Sequence, residues 1–247
     1  MLLALDVGNT NITAGVFQGK KLIRRWRRET GTRSLGRELR TRLRGLRVEA
    51  AIYGSVVPAM NRGVEIAVRK SFGCKAAAVT PSSRLGIGFK VDRPGQVGAD
   101  RVLNALAAFE LAQGRAVVLD FGTATTFDCI SEKGDYLGGA IVPGPHLAAR
   151  MLHEHTAQLP LAQVRRPRRV IGKNTDECIQ AGIYFGYLGM IEKVLALTLR
   201  EMGANVSIMA TGGLAVLFKK DLGRSIRHVP DLTLQGLRIA SERMRLC

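Results

Sequence analysis

Two segments of this chain repeat one arrangement of residues that could handle phosphate. Residues 2–5 and 116–119 are apolar runs, and each leads into the pattern Asp-x-Gly-[Asn/Thr], at residues 6–9 and 120–123. The glycine allows a tight turn and close approach of the backbone to a ligand, so that N–H groups of the turn can face phosphate oxygens. The carboxylate can hold Mg²⁺, usually through water, and Mg²⁺ binds phosphates. The repeat therefore predicts two phosphate-handling tips.

Each repeat is also compatible with an ordinary β-hairpin in which Asp and Gly only shape the turn. For a single copy we would favour that interpretation. Two matching copies with several polar side chains after the glycine favour nucleotide binding. These side chains are Asn9, Thr10, Asn11 and Thr13 in the first copy and Thr123, Thr125 and Thr126 in the second. The chain has neither a Walker A loop nor a Gly-x-Gly-x-x-Gly motif, which argues against P-loop and Rossmann sites.

A third candidate group, Gly98-Ala99-Asp100-Arg101, stands at the start of a predicted helix. In a purely structural interpretation, Asp100 caps the helix and Arg101 pairs with it. In a functional interpretation, the helix start collects a small anion such as a carboxylate, which Arg101 can bind bidentately. Asp100 could then accept the proton of an alcohol during phosphoryl transfer.

Weaker signals come from three further motifs. A glycine-rich strand and turn at residues 138–144 is a weak signal when taken alone, and a simple bend would explain it. Thr211-Gly212-Gly213 follows a buried strand, and it could lie flat against a nucleoside or form an ordinary strand-to-helix turn. Asn174 and Glu177 form a capping-box pattern at the start of a long helix, with Thr175 beside them as a candidate ligand contact.

Hydrophobic periodicity predicts the elements that hold these motifs. In the first half we expect strands over 2–6, 11–17, 21–28, 50–56 and 76–79, and helices over 34–46, 60–72 and 100–111, with a glycine-rich loop over 80–99. In the second half we expect strands between 116 and 142 and over 206–210, and helices near 147–155, over 175–201 and after Leu232.

Composition fits a globular chain of 247 residues, with 46% hydrophobic and 23% charged residues. No uninterrupted apolar run approaches the ~20 residues of a membrane span, and the N-terminal apolar stretch ends at Asp6 without the features of a signal peptide. The cysteines form no CxxC pair and predict neither a disulfide framework nor a zinc site; they are Cys74, Cys129, Cys178 and Cys247. A reducing cytoplasm is the simplest location.

The net charge of +17 is concentrated in residues 20–47 and 165–169. Such runs can bind nucleic acid. However, aromatic residues make up 5% of the chain and do not alternate with the basic ones, which argues against a single-strand binding platform. An arginine-rich solvated face with a general attraction for small anions is the simpler interpretation. We therefore expect neither a specific nucleic-acid partner nor a membrane partner.

Taken together and in this order, the motifs resemble those of type III pantothenate kinases. The resemblance runs nearly end to end, through residues 6–10, 55–58, 98–101, 120–126, 139–144, 156–160, 174–175, 211–213 and 230–237. The combination is highly specific, although each piece alone is not.

This resemblance implies an α/β fold of the actin-like, Hsp70 and sugar-kinase superfold. It consists of two ribonuclease H-like half-domains with mixed β-sheets flanked by helices, and an active-site cleft between them. We expect the first half over 1–112, with the first phosphate hairpin and the pantothenate motif. The second half is expected over 113–247, with the second phosphate hairpin, the Thr211-Gly212-Gly213 turn on the adenosine side, and helices for dimerisation.

The resemblance also implies an activity: phosphorylation of the primary hydroxyl of pantothenate by ATP with Mg²⁺, the first step of coenzyme A synthesis, in a cytoplasmic homodimer. The implied ATP-binding residues are Asp6 (toward Mg²⁺), Val7, Gly8, Asn9, Thr10, Asn11, Ile12, Thr13 and Thr123. Asp120 would help hold a monovalent cation, K⁺ or NH₄⁺. The implied pantothenate-binding residues are Gly98, Ala99, Asp100 as proton acceptor, Arg101, and Thr175 across the dimer interface.

One position departs from the family pattern, and two other interpretations stand beside the kinase. The family often has an aromatic residue, usually Tyr, where this chain has Val91, with Phe89 nearby, and this bears on the lining of the substrate pocket. Another enzyme of the superfold, such as a sugar kinase or a polyphosphate-hydrolysing phosphatase, would not explain residues 98–101. A transcription accessory protein would use the basic face. A pseudokinase would be expected to lose Asp6, Asp100 or Asp120, and all three are present.

Overall fold

The computed structural model describes residues 1–31, 34–223 and 225–246. Residues 32–33, part of the first basic run, and Cys247 lie outside this description. In chain order the elements are β1 (Leu2–Val7), β2 (Asn11–Gln18), β3 (Lys21–Glu29), α1 (Leu35–Arg42), β4 (Ala50–Ser55), α2 (Pro58–Phe72), β5 (Ala76–Val79), α3 (Ala99–Ala112), β6 (Ala116–Phe121), β7 (Ala124–Ile130), β8 (Tyr136–Pro143), α4 (Pro145–Glu154), α5 (Thr175–Met202), β9 (Ser207–Thr211), α6 (Ala215–Phe218), β10 (Ile226–His228) and α7 (Leu232–Arg243). A short 3₁₀ turn lies at Pro94–Gln96.

These elements match the sequence predictions apart from a few short segments. The first helix ends at Arg42 rather than near residue 46, because the Leu43 N–H closes the last turn on Leu39 O and Gly45 takes a left-handed φ of 80°. The four-residue α6 and the three-residue β10 were not predicted, since such short elements show no periodicity.

The chain divides into two compact units. Unit 1 comprises Met1–Leu111, Gly134–Tyr136 and the segment from Asp231 onward, and unit 2 comprises Ala112–Lys133 and Leu137–Pro230. The first change of unit lies beside the boundary predicted at residue 112. However, α7 belongs to unit 1 and not, as predicted, to the second half. The physical reason is its apolar face, since Leu232, Leu234 and Leu237 are fully or almost fully buried and the helix packs on β1 and β4.

The two units contain sheets of the same design. The strand order is β3-β2-β1-β4-β5 in unit 1 and β10-β9-β6-β7-β8 in unit 2, so that each sheet places an antiparallel hairpin beside parallel strands. The burial patterns of β1 and β6 are identical, with only the Asp position half-exposed among buried apolar residues. The repeated sequence therefore encodes a repeated fold.

The long helix α5 is more apolar than the sequence analysis allowed. Among the described helices, α5 alone is long and apolar enough to cross a membrane by length and composition, although core helices of soluble proteins pass the same test. Its inner face, with Tyr184, Tyr187 and Ile191, packs against the apolar core under β6 and β7. Only 22% of its most apolar stretch is buried, which leaves the opposite face open.

Candidate functional site

The first repeat forms the hairpin between β1 and β2. Asp6 is half-buried near the end of β1, opposite Thr13 on β2 and Gly54 on β4. The Gly8 N–H donates to Asn11 O at 2.9 Å and closes the turn, while Asn9 and Thr10 are exposed at its tip. The hairpin therefore presents one carboxylate, backbone N–H groups and polar side chains at the end of the sheet.

Two details of this hairpin were not visible in the sequence. Thr30 braces the tip, because its hydroxyl donates to Gly8 O at 2.7 Å and its N–H donates to Thr10 O at 2.9 Å. Val7 and Ile12, both predicted to bind ATP, point into the hydrophobic core and are at most 1% exposed. Only their backbone groups are available to a ligand.

The second candidate group opens α3. The Asp100 carboxylate accepts the N–H of Arg101 at 2.8 Å, and Val102 N–H donates to Gly98 O at 3.2 Å. A Cβ at Gly98 would lie 2.5 Å from Asp100 Oδ1, so glycine is required for the carboxylate to fold back over the start of the helix. Burial raises the pKa of the Asp100 carboxyl, although the N–H and charge of Arg101 oppose the shift.

Unit 1 brings this helix start to the same end of the sheet as the first hairpin. Val56 is the link, since its N–H donates to Val7 O at 3.0 Å and its side chain lies 3.4 Å from where a Gly98 Cβ would stand. Gly54 allows this close packing, because a Cβ there would lie 2.5 Å from Leu103 Cδ1 of α3 and would force that side chain to move. Asp6 and Asp100 therefore come from segments far apart in sequence that converge within one unit.

An aromatic residue that the sequence analysis did not single out supports Arg101. The Arg101 guanidinium carbon lies 5.6 Å from the ring centroid of Tyr136, which is 1% exposed. Tyr136 pairs with the glycine-rich loop, because its N–H donates to Gly88 O at 2.8 Å and its carbonyl accepts Lys90 N–H at 2.9 Å. Phe89 contacts the same ring, with centroids 6.1 Å apart. The chain thus has a Phe89–Tyr136 ring pair two residues before Val91.

The second repeat forms the hairpin between β6 and β7 in unit 2. The Gly122 N–H donates to Ala124 O at 3.1 Å, and Thr123 O accepts the N–H of Gly144 at 3.1 Å. A Cβ at Gly144 would lie 2.4 Å from Thr123 O, which explains the glycine at the end of the 138–144 motif. That motif therefore supports the hairpin tip.

Asp120 occupies the position in this hairpin that Asp6 has in the first. It lies opposite Thr126 on β7 and Thr211 on β9. Thr211 corresponds to Gly54 in unit 1, which lies opposite Asp6 on the parallel strand β4. Gly212, with φ of 88°, packs against it so closely that a Cβ would lie 2.6 Å from Asp120 Oδ1. Burial and the charge of Asp120 raise the pKa of Tyr187 to about 12, although its hydrogen bond to Thr125 opposes the shift. The Thr211-Gly212-Gly213 turn thus shapes the surroundings of this carboxylate.

Thr175 is exposed as the first residue of α5. The predicted cap is confirmed in part: Asn174 Oδ1 accepts Glu177 N–H at 2.9 Å, but the Glu177 carboxylate accepts the N–H of Lys173 at 3.0 Å. The rise of an α-helix places Thr175 roughly 18 Å along the axis from Tyr187, which lies under the second hairpin. Unit 2 therefore does not bring Thr175 to Asp120.

Each of the two aspartates could supply a carboxylate ligand to a cation. Among the described residues, no group of three or more His, Cys, Asp or Glu side chains could hold a metal ion. A single carboxylate at Asp6 beside an open hairpin tip fits Mg²⁺ that keeps waters and binds phosphates. Asp120, which pairs with Thr126 on β7 and Thr211 on β9, likewise offers carboxylate oxygens, which suit a hard cation.

Comparison with known proteins identifies relatives of this chain. A family model described as type III pantothenate kinase matches residues 2–197. A protein of that name from Moorella thermoacetica is 42% identical over 252 residues, which cover 98% of this chain and 99% of the relative. Another from Anaeromyxobacter sp. strain K is 44% identical, with 99% and 100% covered.

Solved structures at lower identity share the fold. A Baf family transcriptional activator from Campylobacter jejuni aligns with a TM-score of 0.61 at 17% identity, over 98% of both chains. ADP-bound MreB5 of Spiroplasma citri aligns with a TM-score of 0.53 at 11% identity, over 99% of this chain and 97% of its own. The fold is thus that of actin-like ATPases, with two mixed sheets flanked by helices. The extent and identity of the sequence matches show that the chain belongs to the type III pantothenate kinase family.

Proposed function

We propose that this chain transfers the γ-phosphoryl group of ATP to the primary hydroxyl of pantothenate, with Asp100 as the proton acceptor. The reaction, a step of coenzyme A biosynthesis, follows from membership of the family. The placement of Asp100 carries the assignment of its role: a partly buried carboxylate at a helix start, joined through Val56 to the first phosphate hairpin. A raised pKa brings a carboxylate closer to neutral pH, where a base is most effective.

Recognition of pantothenate follows from the neighbours of Asp100. Pantothenate carries a carboxylate as well as hydroxyl groups, and a guanidinium binds a carboxylate through two parallel hydrogen bonds. Arg101 supplies that guanidinium, which packs over the ring of Tyr136. Gly98 and Ala99 contribute the backbone at the helix start. Thr175 supplies a further contact from the second protomer of a homodimer.

ATP binding is assigned to the two hairpins. Gly8, Asn9, Thr10, Asn11 and Thr13 would bind phosphates with N–H groups and side chains, and Thr123 would bind ATP from the second hairpin. Val7 and Ile12 would contribute only backbone groups, because their side chains lie in the core. When bound at Asp6 through water, Mg²⁺ would neutralise phosphate charge during transfer.

A monovalent cation, K⁺ or NH₄⁺, is assigned to Asp120. We expect phosphopantothenate formation by the purified protein to require one of these ions. Asp120→Asn should lower kcat/KM at least about tenfold and abolish the response to K⁺, because the amide lacks the charge that attracts the ion. The measurement is the initial rate with ATP, Mg²⁺ and pantothenate across a K⁺ titration. Glu132→Gln, which removes an exposed carboxylate of unit 2, is the matched control. Absence of product under all conditions would contradict the function, whereas K⁺-independent activity would contradict only the cation site.

The homodimer is proposed to form along the open face of α5. Gly182, Gly186 and Gly189 are exposed on this face, and a Cβ at any of them would meet no atom within 4 Å. Leu197, on the same helix, is 42% exposed. Glycines spaced along one helix face allow close approach of a second helix, and a largely uncovered apolar helix gains from such a partner.

We expect Gly186→Arg to convert the dimer into monomers, because a long charged side chain would stand at the centre of the helix contact. Sedimentation or light scattering measures the mass. Gly63→Arg is the control, since Gly63 is an equally unobstructed, exposed glycine in α2. A dimer that survives Gly186→Arg would place the interface elsewhere. Loss of activity on dissociation would support the contribution of Thr175 across the interface.

We also propose a cytoplasmic location. In the part of the chain that the structure describes, Cys74, Cys129 and Cys178 are free thiols, which suits a reducing compartment.

A further inference from the structure

A second basic site lies in unit 2, outside the two hairpins and the start of α3. Its wall is the segment Arg165-Arg166-Pro167-Arg168-Arg169, and the first turns of α5 close it with Glu177 and Gln180. These residues line an open cavity of about 490 Å³, within the range of small-molecule sites. We call this cavity the arginine pocket.

Three of the four arginines are held in place by neighbouring groups. Arg166 forms two hydrogen bonds to Asp221, at 2.9 and 3.0 Å, and the Tyr184 hydroxyl donates to the same carboxylate. Arg169 donates to Glu177 at 3.0 Å, and Arg165 donates to Gln180 at 3.2 Å. Each of these guanidinium groups keeps N–H donors that its partner does not use, because a guanidinium has five.

Two of the four arginines give the pocket its excess of positive charge. Within the described residues, Arg168 has no recorded hydrogen bond or ion pair, and it lines the cavity with the other three. Four guanidinium groups line the pocket, and two carboxylates compensate two of them: Glu177 pairs with Arg169 and Asp221 pairs with Arg166. Arg165 and Arg168 have no carboxylate partner, so a ligand with a single negative charge would leave part of this charge uncompensated. Planar guanidinium groups match the oxygens of phosphate, and several of them match several phosphates.

We propose that the arginine pocket binds a small molecule with two or more phosphate groups, at a site separate from the reacting groups. The concave shape and the limited volume favour a small ligand over a polymer. The lining contains no aromatic residue on which a nucleic-acid base could stack. The inference does not rest on the kinase assignment, because none of its residues belongs to the proposed ATP, pantothenate or cation sites.

Tripolyphosphate is the probe that tests the proposal. Isothermal titration at fixed ionic strength would compare wild-type protein with Arg165→Gln/Arg168→Gln, which removes two charges from the pocket. We expect the double variant to lose one binding event per chain, or to bind at least about tenfold more weakly at that site. Orthophosphate should bind the wild type at least tenfold more weakly than tripolyphosphate. The KM for ATP should be unchanged, which separates this site from the first hairpin.

The matched control is Arg37→Gln/Arg44→Gln, which removes two charges from exposed positions in and beside α1. It should bind tripolyphosphate as the wild type does. Equal weakening in both double variants would reduce the effect to general electrostatic attraction and overturn the proposal. Unchanged binding in the pocket variant would overturn it as well. Pocket-dependent binding of a single-stranded oligonucleotide more tightly than tripolyphosphate would replace it with a nucleic-acid site.

Discussion

Asp100→Asn is expected to lower kcat/KM for pantothenate phosphorylation by on the order of 10²–10⁴-fold, the usual contribution of general base catalysis. The amide can still accept the N–H of Arg101, as the carboxylate does at 2.8 Å, so the helix start should keep its shape. Asn cannot take the proton of the attacking hydroxyl. Steady-state kinetics with both substrates would measure the loss, and binding of pantothenate should change much less than kcat.

The same substitution should not destabilise the protein. Because burial raises the pKa of Asp100 in the folded state, the contribution of this group to stability is fully present below its unfolded pKa and is lost as the pH rises through its folded pKa. At neutral pH the charged carboxylate therefore destabilises the folded state, and Asp100→Asn should raise the melting temperature. In the wild type, kcat/KM should fall on the acid side at a higher pH than an ordinary aspartate would give. If Asp100→Asn kept full activity, Asp100 would not be the base. If Asp100→Asn had a lower melting temperature than the wild type, unfolding would explain its loss of activity.

Gly212→Ala is expected to have the largest effect on the second hairpin. The left-handed φ of 88° alone costs an L-residue roughly 1–2 kcal/mol. The new Cβ would also lie 2.6 Å from Asp120 Oδ1 and from the backbone N and C of Phe121, and backbone atoms cannot move aside cheaply. We expect a loss of more than about 3 kcal/mol in the free energy of unfolding. Urea titration measures this loss, and the remaining folded protein should show a weaker response to K⁺.

Gly73→Ala separates backbone strain from the clash. Gly73 ends α2 with φ of 76°, but a Cβ there would meet nothing within 4 Å. Gly73→Ala should therefore lower the free energy of unfolding only by the roughly 1–2 kcal/mol of strain in the left-handed conformation. If Gly212→Ala lowered the free energy of unfolding no more than Gly73→Ala does, the close contact of Gly212 with Asp120 and Phe121 would not constrain the second hairpin.

The repeated hairpins are a part of the fold that local sequence predicts well. A strand ending in Asp-x-Gly closes its own turn through neighbours, as Gly8 does with Asn11 and Gly122 does with Ala124. Such turns depend on residues only a few positions apart, so the motif predicts them well. The identical burial patterns of β1 and β6 have the same origin, since alternation along a strand is a local property.

Local patterns were less informative about α5 and α7. An apolar helix is encoded in the same way whether it covers a sheet or meets another chain, so the low burial of α5 became visible only in the structure. The leucines of α7 predict a buried face, but they do not say which sheet covers it. That helix returns to unit 1, and the predicted domain boundary could not show this.

The family, the two Asp-x-Gly hairpins and the Gly98–Arg101 motif can be recognised in the amino-acid sequence, because their motifs consist of contiguous residues. The differences between the hairpins and the residues that surround them depend on long-range packing. It places Gly54 beside Asp6, where the missing side chain admits α3 and Asp100, and Thr211 beside Asp120. It also brings Tyr136 under Arg101 and closes the arginine pocket with α5. These contacts join residues distant in the chain, and their geometry depends on how whole elements pack.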